Sequence, residues 1–511
     1  MVCRPVLSAV AAGVSVALTL VSCAGPGRAP VKTGTAVTSA PTVRPTSAPP
    51  TVTPEAVVPQ GDFSSVVRLV DEAIAAPRMP GAVVQVGHVG KIVFRQAFGA
   101  RRLPGEPGLD GLPSPAEPMT EDTIFDLASL TKSLATATAV LQLSEQGKVG
   151  IDEPLQTYLP DFNPAGDPRR AEVTLRMILT HTSGLAGDLS VGGPPWGLDR
   201  ADKAEGIRRA LATPLAFGPG EVFHYSDIGF ILLGAMVEKI TGEPEDVYVQ
   251  RAVFAPIGMT DTRYLPADKA CGPHRIVGTA IALDRSGTAV DPCPDGSWST
   301  DLLARIAPTA HDEDGRNEPG KNPDFDHLLR GSVHDPTARR MGGVAGSAGV
   351  FSTVRDVGLF ANALLDRLAG RPSTFPLTQA SAEMMTTPQQ PGHNAGQLAA
   401  ANDAERQALA TEPNTANPLL APRYPAVPGQ NLRGFGWDID TALSTIRGVG
   451  FPIGSFGGGG FTGTSLWIDP GSDSYVVVLA NVIHQRGGPP IVTLSGEIAT
   501  ETCQALHLYG N

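Results

Sequence analysis

The sequence predicts an α+β fold, an αβα sandwich whose antiparallel sheet is formed by both chain ends and flanked by helices. Strand-like segments with alternating, β-rich patterns occur at residues 83–98 near one end and at 464–469 and 475–482 near the other. Between them, apolar residues recur at helical spacing to about residue 260. Because the strands of the two ends pair across this region, we expect it as a mostly helical insertion beside one sheet.

Further elements follow in chain order. Apolar residues at helical spacing over 63–74 predict a first helix, and Gly87 and Gly90 mark a hairpin turn within the first strand segment. Residues 129–146 place apolar side chains on closely spaced turns, which is typical of a buried helix. Residues 491–506 predict the final helix.

Two regions, about 265–335 and about 385–432, break the periodicity. Both are rich in Pro, Gly, Asn and Ala, so we interpret them as insertions or long loops within one domain over residues 61–511. Their own folds do not follow from the pattern.

The N-terminal residues have the features of an export signal. Arg4 precedes an apolar stretch over 6–21 that is short for a bilayer span, which predicts a cleaved signal over residues 1–22. Residues 20–23 resemble the bacterial lipobox, in which Cys23 is lipidated and becomes the mature N-terminus. The alternative is an ordinary signal with a chance cysteine. Residues 23–60 are mainly Pro, Thr, Ala and Ser, so we expect a disordered tether.

Charge and cysteine content narrow the function. The 511 residues have a net charge of −12 and contain no run of Lys or Arg, which argues against a nucleic-acid partner. Cys271 and Cys293 flank a Gly- and Pro-rich segment and are candidates for a local disulfide in an oxidising compartment, although two free thiols fit the sequence equally well. Cys503 is expected as a small buried hydrophobe in the final helix.

The most informative motif begins the predicted buried helix. Ser129 and Lys132 are three residues apart, so a helix places the lysine amine on the same face as the serine hydroxyl. A serine hydroxyl becomes a good nucleophile when a neighbouring base takes its proton, and a lysine kept neutral by burial can act as that base. Alone, this spacing also fits an ordinary exposed first helical turn.

Other motifs accompany this pair. Tyr225 lies in Phe-His-Tyr-Ser-Asp (223–227), and a glycine-rich segment over 457–463 precedes a strand. In this order and spacing, the motifs resemble those of the serine β-lactamase and penicillin-binding-protein family. The nearest branch is class C-like and includes D,D-peptidases, family VIII esterases and muramyl-peptide amidases. Residues 179–185 and 342–353 support the resemblance, which covers about 63–505.

The resemblance implies roles for individual residues. Ser129 is the expected acylated nucleophile, Lys132 its proton partner, and Tyr225 a second base and the relay for deacylation. The backbone N–H groups of Ser129 and Phe461 are expected to form the oxyanion hole. Gly460 matches the glycine of the family's Lys/His-Thr-Gly strand, along which substrate lies. No cofactor and no metal are implied.

Three positions depart from the family pattern. Asp227 stands where the family usually has Asn, and its carboxylate is expected to stabilise charged Lys132, raise its pKa and shift the base role toward Tyr225. Gly458 stands where relatives carry Lys or His, which removes a side chain expected to bind a substrate carboxylate. Ser347 stands where the nearest branch has His.

Other candidate sites have simpler interpretations. His181 lies in a helix-end motif, and we favour a structural hydrogen-bonding role over that of a triad base. Residues 311–314, His-Asp-Glu-Asp, lack metal-ligand spacing, so we expect a solvated acidic loop. The four glycines of 457–460 are not a phosphate loop, because no Lys-Ser/Thr follows them.

The sequence therefore predicts an exported serine hydrolase, anchored at Cys23 to the extracytoplasmic face of a bacterial cell membrane. Its expected mechanism is a Ser129 acyl-enzyme, and its expected substrates are small molecules or peptidoglycan peptides with a peptide, amide or ester bond. The alternative is a lipoprotein that binds cell-wall peptides without turnover, favoured by Asp227 and Gly458. The sequence leaves the oligomeric state open.

Overall fold

Both ends of the chain supply the central sheet. The computed structural model describes residues 56–284, 292–486 and 491–510. Within these ranges the largest sheet has eight antiparallel strands in the order β4-β5-β6-β7-β8-β1-β2-β3. In chain order they are Gly81–His88 (β1), Lys91–Arg102 (β2), Glu117–Pro118 (β3), Leu432–Arg433 (β4), Asp438–Asp440 (β5), Phe456–Gly460 (β6), Thr464–Asp469 (β7) and Ser474–Ala480 (β8).

The two ends meet at the pairing of β1 with β8, where Val84 lies opposite Val478. Smaller strand groups lie outside this sheet. One of them is a three-stranded group in which Val350–Ser352 lies between Phe125–Asp126 and Arg263–Tyr264. Its strand Phe125–Asp126 ends just before Ser129. The others are the pairs Ala310–His311 with Leu328–Leu329, Ala270–Cys271 with Trp298–Ser299, and His274–Val277 with Ala280–Leu283.

Helices fill most of the sequence between β3 and β4. The α-helices are Ser64–Ala75 (α1), Thr138–Glu145 (α2), Leu155–Tyr158 (α3), Pro168–Ala171 (α4), Leu175–Leu179 (α5), Lys203–Ala212 (α6), Asp227–Thr241 (α7), Glu245–Val249 (α8), Ala255–Ile257 (α9), Pro336–Arg340 (α10), Val354–Leu368 (α11), Gln379–Thr386 (α12), Gly396–Thr411 (α13) and Val492–Ala505 (α14). Lys132–Ala137 and Gln250–Phe254 are π-helical. Short 3-10 helices occupy Pro160–Phe162, Ala267–Lys269, Thr300–Ala304, Pro319–Lys321, Ser444–Arg447, Val482–His484 and Leu508–Gly510.

The alternation of strand residues builds a core on each face of the sheet. In β8, Val477 and Leu479 face the core formed with the helical region, and Val476 and Val478 face a second core formed with α1 and α14. Since helices cover both faces, the predicted α+β sandwich with a sheet closed by both chain ends is confirmed.

The predicted first hairpin is present, but only one of its two glycines makes the turn. Gly90, at φ +68°, lies in the turn between β1 and β2. Gly87 lies inside β1, where a Cβ atom would be 2.0 Å from the ring of Tyr475. Glycine is therefore required at position 87 because the strand packs closely against β8. From the sequence alone, a glycine of this kind looks the same as a glycine in a turn.

Region 385–432 contains a regular helix, so the expectation of a long loop is wrong for these residues, whereas the interpretation of the region as an insertion stays a prediction. Helix α13 spans Gly396–Thr411, and its few buried residues include Ala401, Glu405 and Ala408. The carboxylate of Glu405 forms an ion pair with the fully buried Arg447, at 2.5 Å. Because small and polar side chains form the buried face of this helix, it has no apolar periodicity for sequence analysis to detect.

The described residues of region 265–335, which are 265–284 and 292–335, contain short strands and 3-10 helices joined by irregular segments, as broken periodicity predicts. A disulfide joins Cys271 to Cys293 within it. Cys503 is a free cysteine buried in α14.

The predicted signal, residues 1–22, and the lipidation site Cys23 lie outside the described residues, as does most of the predicted tether. Within the part of the chain that the structure describes, no helix is both long enough and apolar enough to span a membrane.

Candidate active site

A sharp turn from strand to helix presents Ser129. The short strand Phe125–Asp126 ends immediately before it, and Ala128 adopts φ +45°, an uncommon value for a residue with a Cβ atom. The carboxylate of Asp126 accepts a hydrogen bond from the N–H of Ala128 at 2.9 Å. The N–H of Lys132 donates to the carbonyl of Ser129 at 3.0 Å. Ser129 therefore lies partly exposed at the N-terminal end of a helix, and hydrogen bonds before and after it in the chain fix its backbone.

Lys132 is buried and contacts three groups of the site. Its side chain is 2% exposed, and Nζ donates to Ser129 Oγ at 2.9 Å. The same Nζ donates to the carbonyl of Ser347 at 2.9 Å and forms an ion pair with Asp227 Oδ1 at 2.5 Å. The structure thus brings together Ser129, Lys132 and Asp227 as the sequence predicted.

Asp227 determines the charge of this lysine. Burial opposes the ammonium form, but the carboxylate of Asp227 and the phenol of Tyr225 outweigh it, so the pKa of Lys132 is raised above its ordinary value. Lys132 is therefore an ammonium ion at neutral pH. In this state it donates a hydrogen bond to Ser129 Oγ and has no lone pair with which to take the serine proton.

Tyr225 lies over the lysine and is held by His181. Its ring centroid is 5.0 Å from Lys132 Nζ and 4.2 Å from the imidazole of His181, with the two rings 28° from parallel. His181 Nδ1 accepts the N–H of Ser226 at 3.1 Å, and its carbonyl accepts the N–H of His224 at 2.8 Å. Burial and nearby cations place the pKa of His181 well below its ordinary value. His181 is thus a neutral side chain that positions Tyr225, in agreement with the structural role predicted for it.

The glycine-rich strand β6 lies against the turn that carries Ser129. Thr462 Oγ1 donates to the carbonyl of Asp126 at 2.7 Å, and Thr464 Oγ1 to the carbonyl of Leu127 at 3.0 Å. At Gly460 a Cβ atom would be 2.4 Å from that same Leu127 oxygen, which no side chain can accommodate without displacement. This close approach brings the end of β6, which Phe461 follows directly, beside the turn that carries Ser129, and the oxyanion-hole role of the Phe461 N–H stays a prediction.

The positions that depart from the family differ in their surroundings. A Cβ atom at Gly458 would contact only Leu130, at 3.7 Å, so the missing Lys or His is not excluded by crowding. Ser347 is 1% exposed and serves the site through its carbonyl, the acceptor for Lys132.

A cavity of about 360 Å³ opens beside Phe461 and is lined in part by residues 310–314, His334 and Arg339. The Phe461 side chain is 74% exposed and stacks on His334, with ring centroids 5.9 Å apart. Among the residues described, no cluster of three or more His, Cys, Asp or Glu side chains is arranged to hold a metal ion.

The segment 311–314 is not the solvated acidic loop that the sequence predicted. Asp312 is 2% exposed and pairs with Arg339 at 2.8 Å, and Asp314 pairs with Arg339 and Arg340. Helix α10 supplies these arginines from far along the chain, and their charges offset the cost of burying the carboxylates.

Several carboxyl groups near Lys132 were not found from the sequence. Burial, followed by the nearby Asp227, raises the pKa of Asp335 to about 6 and also raises the pKa of Asp188. Glu245 is buried behind the π-helical segment that begins at Lys132. None of these residues belongs to a short motif, since each reaches the site only through the tertiary fold.

The fold and the site together define the class of protein. A mixed helix and sheet sandwich with a serine beside a buried lysine and a tyrosine is the arrangement of a serine hydrolase. Residues 66–488 match the protein family described as Beta-lactamase, and the chain belongs to this family.

Individual relatives carry different activities in their names. The chain is 31% identical over 334 residues to the N-acetylmuramyl-L-alanine amidase of Bacillus subtilis (strain 168), covering 63% of this chain and 68% of the relative. It is 34% identical over 279 residues to esterase EstB of Burkholderia gladioli, covering 52% of this chain and 66% of that enzyme. The structure of the octameric penicillin-binding protein homologue from Pyrococcus abyssi superposes with a TM-score of 0.55 at 19% identity, covering 87% of this chain and 78% of the other, which shows the shared fold.

Proposed function

We propose that this chain is an exported serine hydrolase that transfers the acyl group of an amide or ester to Ser129 and then to water. The observation that carries the proposal is the 2.9 Å contact between Lys132 Nζ and Ser129 Oγ at a nearly buried lysine. Burial of a lysine charge is costly, so an ammonium group held in contact with this hydroxyl indicates a site that stabilises negative charge developing on the oxygen.

The charge state of the site assigns the proton transfers. We assign the base role to the phenolate form of Tyr225: as Ser129 Oγ bonds to the substrate carbonyl carbon, its proton passes to the phenolate oxygen and leaves a neutral phenol. The Lys132 ammonium stabilises the negative charge of the phenolate and then the charge that develops at the substrate. Tyr225 then returns the proton to the leaving group as the carbonyl–leaving-group bond breaks. In deacylation, water attacks the ester carbon, its proton passes to Tyr225, and Ser129 is released.

We place the substrates among cell-wall peptides, their amides, and esters. The amidase and esterase names of two relatives support both bond types. The lipobox-like residues 20–23 support attachment through a lipid on Cys23 at the extracytoplasmic face of the cell membrane, where peptidoglycan peptides are available.

Two observations favour a second candidate function, binding of cell-wall peptides without turnover. Lys132 is held charged by Asp227, and Gly458 leaves the substrate strand without a cationic side chain. A protein of this kind retains a peptide-sized cleft while its acylation rate is negligible.

Turnover by the full-length protein distinguishes the two functions. The substrates are a small ester, a muramyl-peptide amide and a peptide ending in D-Ala-D-Ala, each tested with Ser129→Ala as the matched control. Hydrolysis of any one that is lost in the control supports the hydrolase. Saturable binding of the peptide, with no hydrolysis of any substrate, contradicts it and supports the binding protein.

A further inference from the structure

We propose that Glu245 is a positioning residue that, as a neutral carboxylic acid, holds the segment behind Lys132 in its acylation-competent place. The inference rests on the proposed function, because its consequence is measured as the rate of Ser129 acylation. It adds a group that belongs to none of the motifs of the site and that lies on α8, in the helical insertion.

Hydrogen bonds connect Glu245 to Lys132 through two elements. Glu245 is 1% exposed, and Thr136 Oγ1 lies 2.7 Å from its Oε1 and 2.8 Å from the carbonyl oxygen of Gly346. Thr136 lies on the π-helical segment that begins at Lys132. Gly346 precedes Ser347, whose carbonyl accepts the hydrogen bond from Lys132. Thr136 therefore joins the helix that carries the lysine to the turn, residues 346–347, whose carbonyl accepts from the lysine.

The hydrogen atoms available to the contacts among Glu245, Thr136 and Gly346 can be counted. A threonine hydroxyl has one hydrogen, and the Gly346 carbonyl can only accept. If Glu245 is ionised, two acceptors compete for that single hydrogen and one of them stays unsatisfied in a buried place. If Glu245 carries a proton, it donates to Thr136, which in turn donates to Gly346, and both contacts are satisfied.

Close backbone packing transmits any change at this point. At Gly346 a Cβ atom would be 2.1 Å from the carbonyl oxygen of Phe230, and at Gly234 it would be 2.4 Å from Glu245 Oε2. Both Phe230 and Gly234 lie on α7, whose first residue is Asp227. The carboxyl group thus lies where α7, the π-helical segment and the turn at residues 346–347 pack closely together.

Burial, more than the surrounding charges, favours the neutral form of Glu245 up to about neutral pH. Burial raises the pKa of Glu245 to about 7, with Lys203 acting against this effect and Glu238 and Asp246 adding to it. Lys203 is itself paired with Glu238 at 2.5 Å, and that carboxylate accepts the N–H of Glu245 at 2.8 Å. The ionisable groups that face Glu245 come from several elements: Lys203 of α6, Glu238 of α7, Asp246 of α8 with its partner Lys269, and Tyr264, whose hydroxyl donates to the carbonyl of Ala345.

Loss of the Glu245 proton therefore lowers activity on the alkaline side. The proton leaves to solvent, Thr136 turns its hydrogen to the carboxylate, and the Gly346 carbonyl loses its donor. The neighbouring Ser347 carbonyl shifts, and with it the position of Lys132 Nζ beside Ser129.

The test is the rate of Ser129 acylation by a fluorophosphonate, measured from about pH 5 to about pH 9 on the full-length protein. Glu245→Gln keeps the shape and supplies a permanent donor to Thr136, so we expect the rate of the wild-type protein at low pH and no loss of rate attributable to Glu245 above neutral pH. Glu245→Leu and Thr136→Val each interrupt the hydrogen bonds that link Glu245 through Thr136 to Gly346. Each is expected to lower the acylation rate about tenfold at all pH values. Superimposable pH profiles for the wild-type protein and Glu245→Gln would overturn the inference.

A second measurement does not depend on catalysis. Since the folded-state pKa is above the ordinary value of 4.5, the folded protein keeps a proton that the unfolded chain loses, and its stability relative to Glu245→Gln falls as pH rises from about 4.5 to about 7. Urea unfolding of both proteins at about pH 5 and about pH 8 measures this difference. Equal differences at the two pH values overturn the Glu245 inference whether or not Ser129 is acylated. A changed difference without acylation of any variant contradicts the proposed hydrolase but supports the buried neutral acid.

Discussion

Lys132 and Asp227 form an ion pair, with Nζ 2.5 Å from Oδ1, beside the hydroxyl of Ser129, which we propose as the nucleophile. The lysine is nearly buried and the carboxylate is about four-fifths buried, so water screens the pair weakly. The carboxylate of Asp227 raises the pKa of Lys132, which an uncharged amide in its place would not do. The division of roles that we propose between Lys132 and Tyr225 depends on that difference.

Asp227→Asn removes the group that raises the pKa of Lys132, and burial, which lowers it, then dominates. The neutral amine becomes available at lower pH, so we expect the acidic limb of the acylation rate to move toward lower pH. The measurement is single-turnover acylation by an ester across pH, with Asp161→Asn, an exposed carboxylate remote in sequence from the motifs, as the control. An unmoved profile contradicts control of the lysine charge by Asp227.

Tyr225→Phe keeps the ring that stacks on His181 and removes only the hydroxyl. We expect acylation to slow by about a hundredfold or more, the range for loss of a general base. Tyr158→Phe is the matched control, because its hydroxyl accepts a hydrogen bond from Gly150 in a different part of the helical region. If Tyr225→Phe acylates at the wild-type rate, the proton follows another route.

Gly460→Ala and Gly458→Ala form a matched pair on one strand. A Cβ atom at 460 would be 2.4 Å from a backbone oxygen, whereas at 458 it makes one ordinary contact at 3.7 Å. We expect Gly460→Ala to reduce the free energy of unfolding by about 1–3 kcal/mol and to lower acylation, and Gly458→Ala to leave both nearly unchanged. Urea unfolding gives the first quantity. Equal stability of the two variants contradicts the close approach of β6 to the nucleophile turn.

Gly458→His introduces the kind of side chain that the family resemblance leads us to expect here, and its Cβ atom would meet only Leu130, at 3.7 Å. We expect a higher kcat/KM for substrates with a terminal carboxylate and a smaller change for a neutral ester of similar size. The ratio of the two kcat/KM values is the readout. No change in that ratio means that residue 458 does not face the substrate carboxylate.

Cys23→Ser tests the proposed membrane attachment. A lipobox without its cysteine cannot be lipidated, so the protein is expected to move from the membrane fraction to the soluble extracytoplasmic fraction. Cys503→Ser, at a cysteine buried in α14, is the control for effects on folding. Retention of Cys23→Ser in membranes contradicts a lipid anchor at this residue.

The fold class and the central pair of the site could be predicted because their signals are local. Strand alternation and helix spacing repeat over short windows, and the spacing of Ser129 and Lys132 fixes their relative placement on a helix. The approach of Gly460 to the Ser129 turn could be expected only through the resemblance to the family, since the two positions are more than three hundred residues apart.

The parts that sequence analysis missed depend on partners that are distant along the chain. The carboxylates of Asp312 and Asp314 lie beside arginines that α10 supplies, and α13 buries Glu405 against Arg447. Glu245 stands in no motif, and its place behind Lys132 appears only when α7, α8 and the π-helical segment are assembled. Charged residues of this kind look solvent-exposed in a linear sequence.

The most direct test of the central claim is the site of covalent modification. Full-length protein and Ser129→Ala are each treated with a fluorophosphonate and, separately, with a penicillin, and adducts are located by intact mass and peptide mapping. We expect a fluorophosphonate adduct on the peptide that contains Ser129 and none in Ser129→Ala, with the folded state of the variant verified by its unfolding transition. Labelling of folded Ser129→Ala at full yield, or a wild-type adduct on another residue, would contradict Ser129 as the nucleophile.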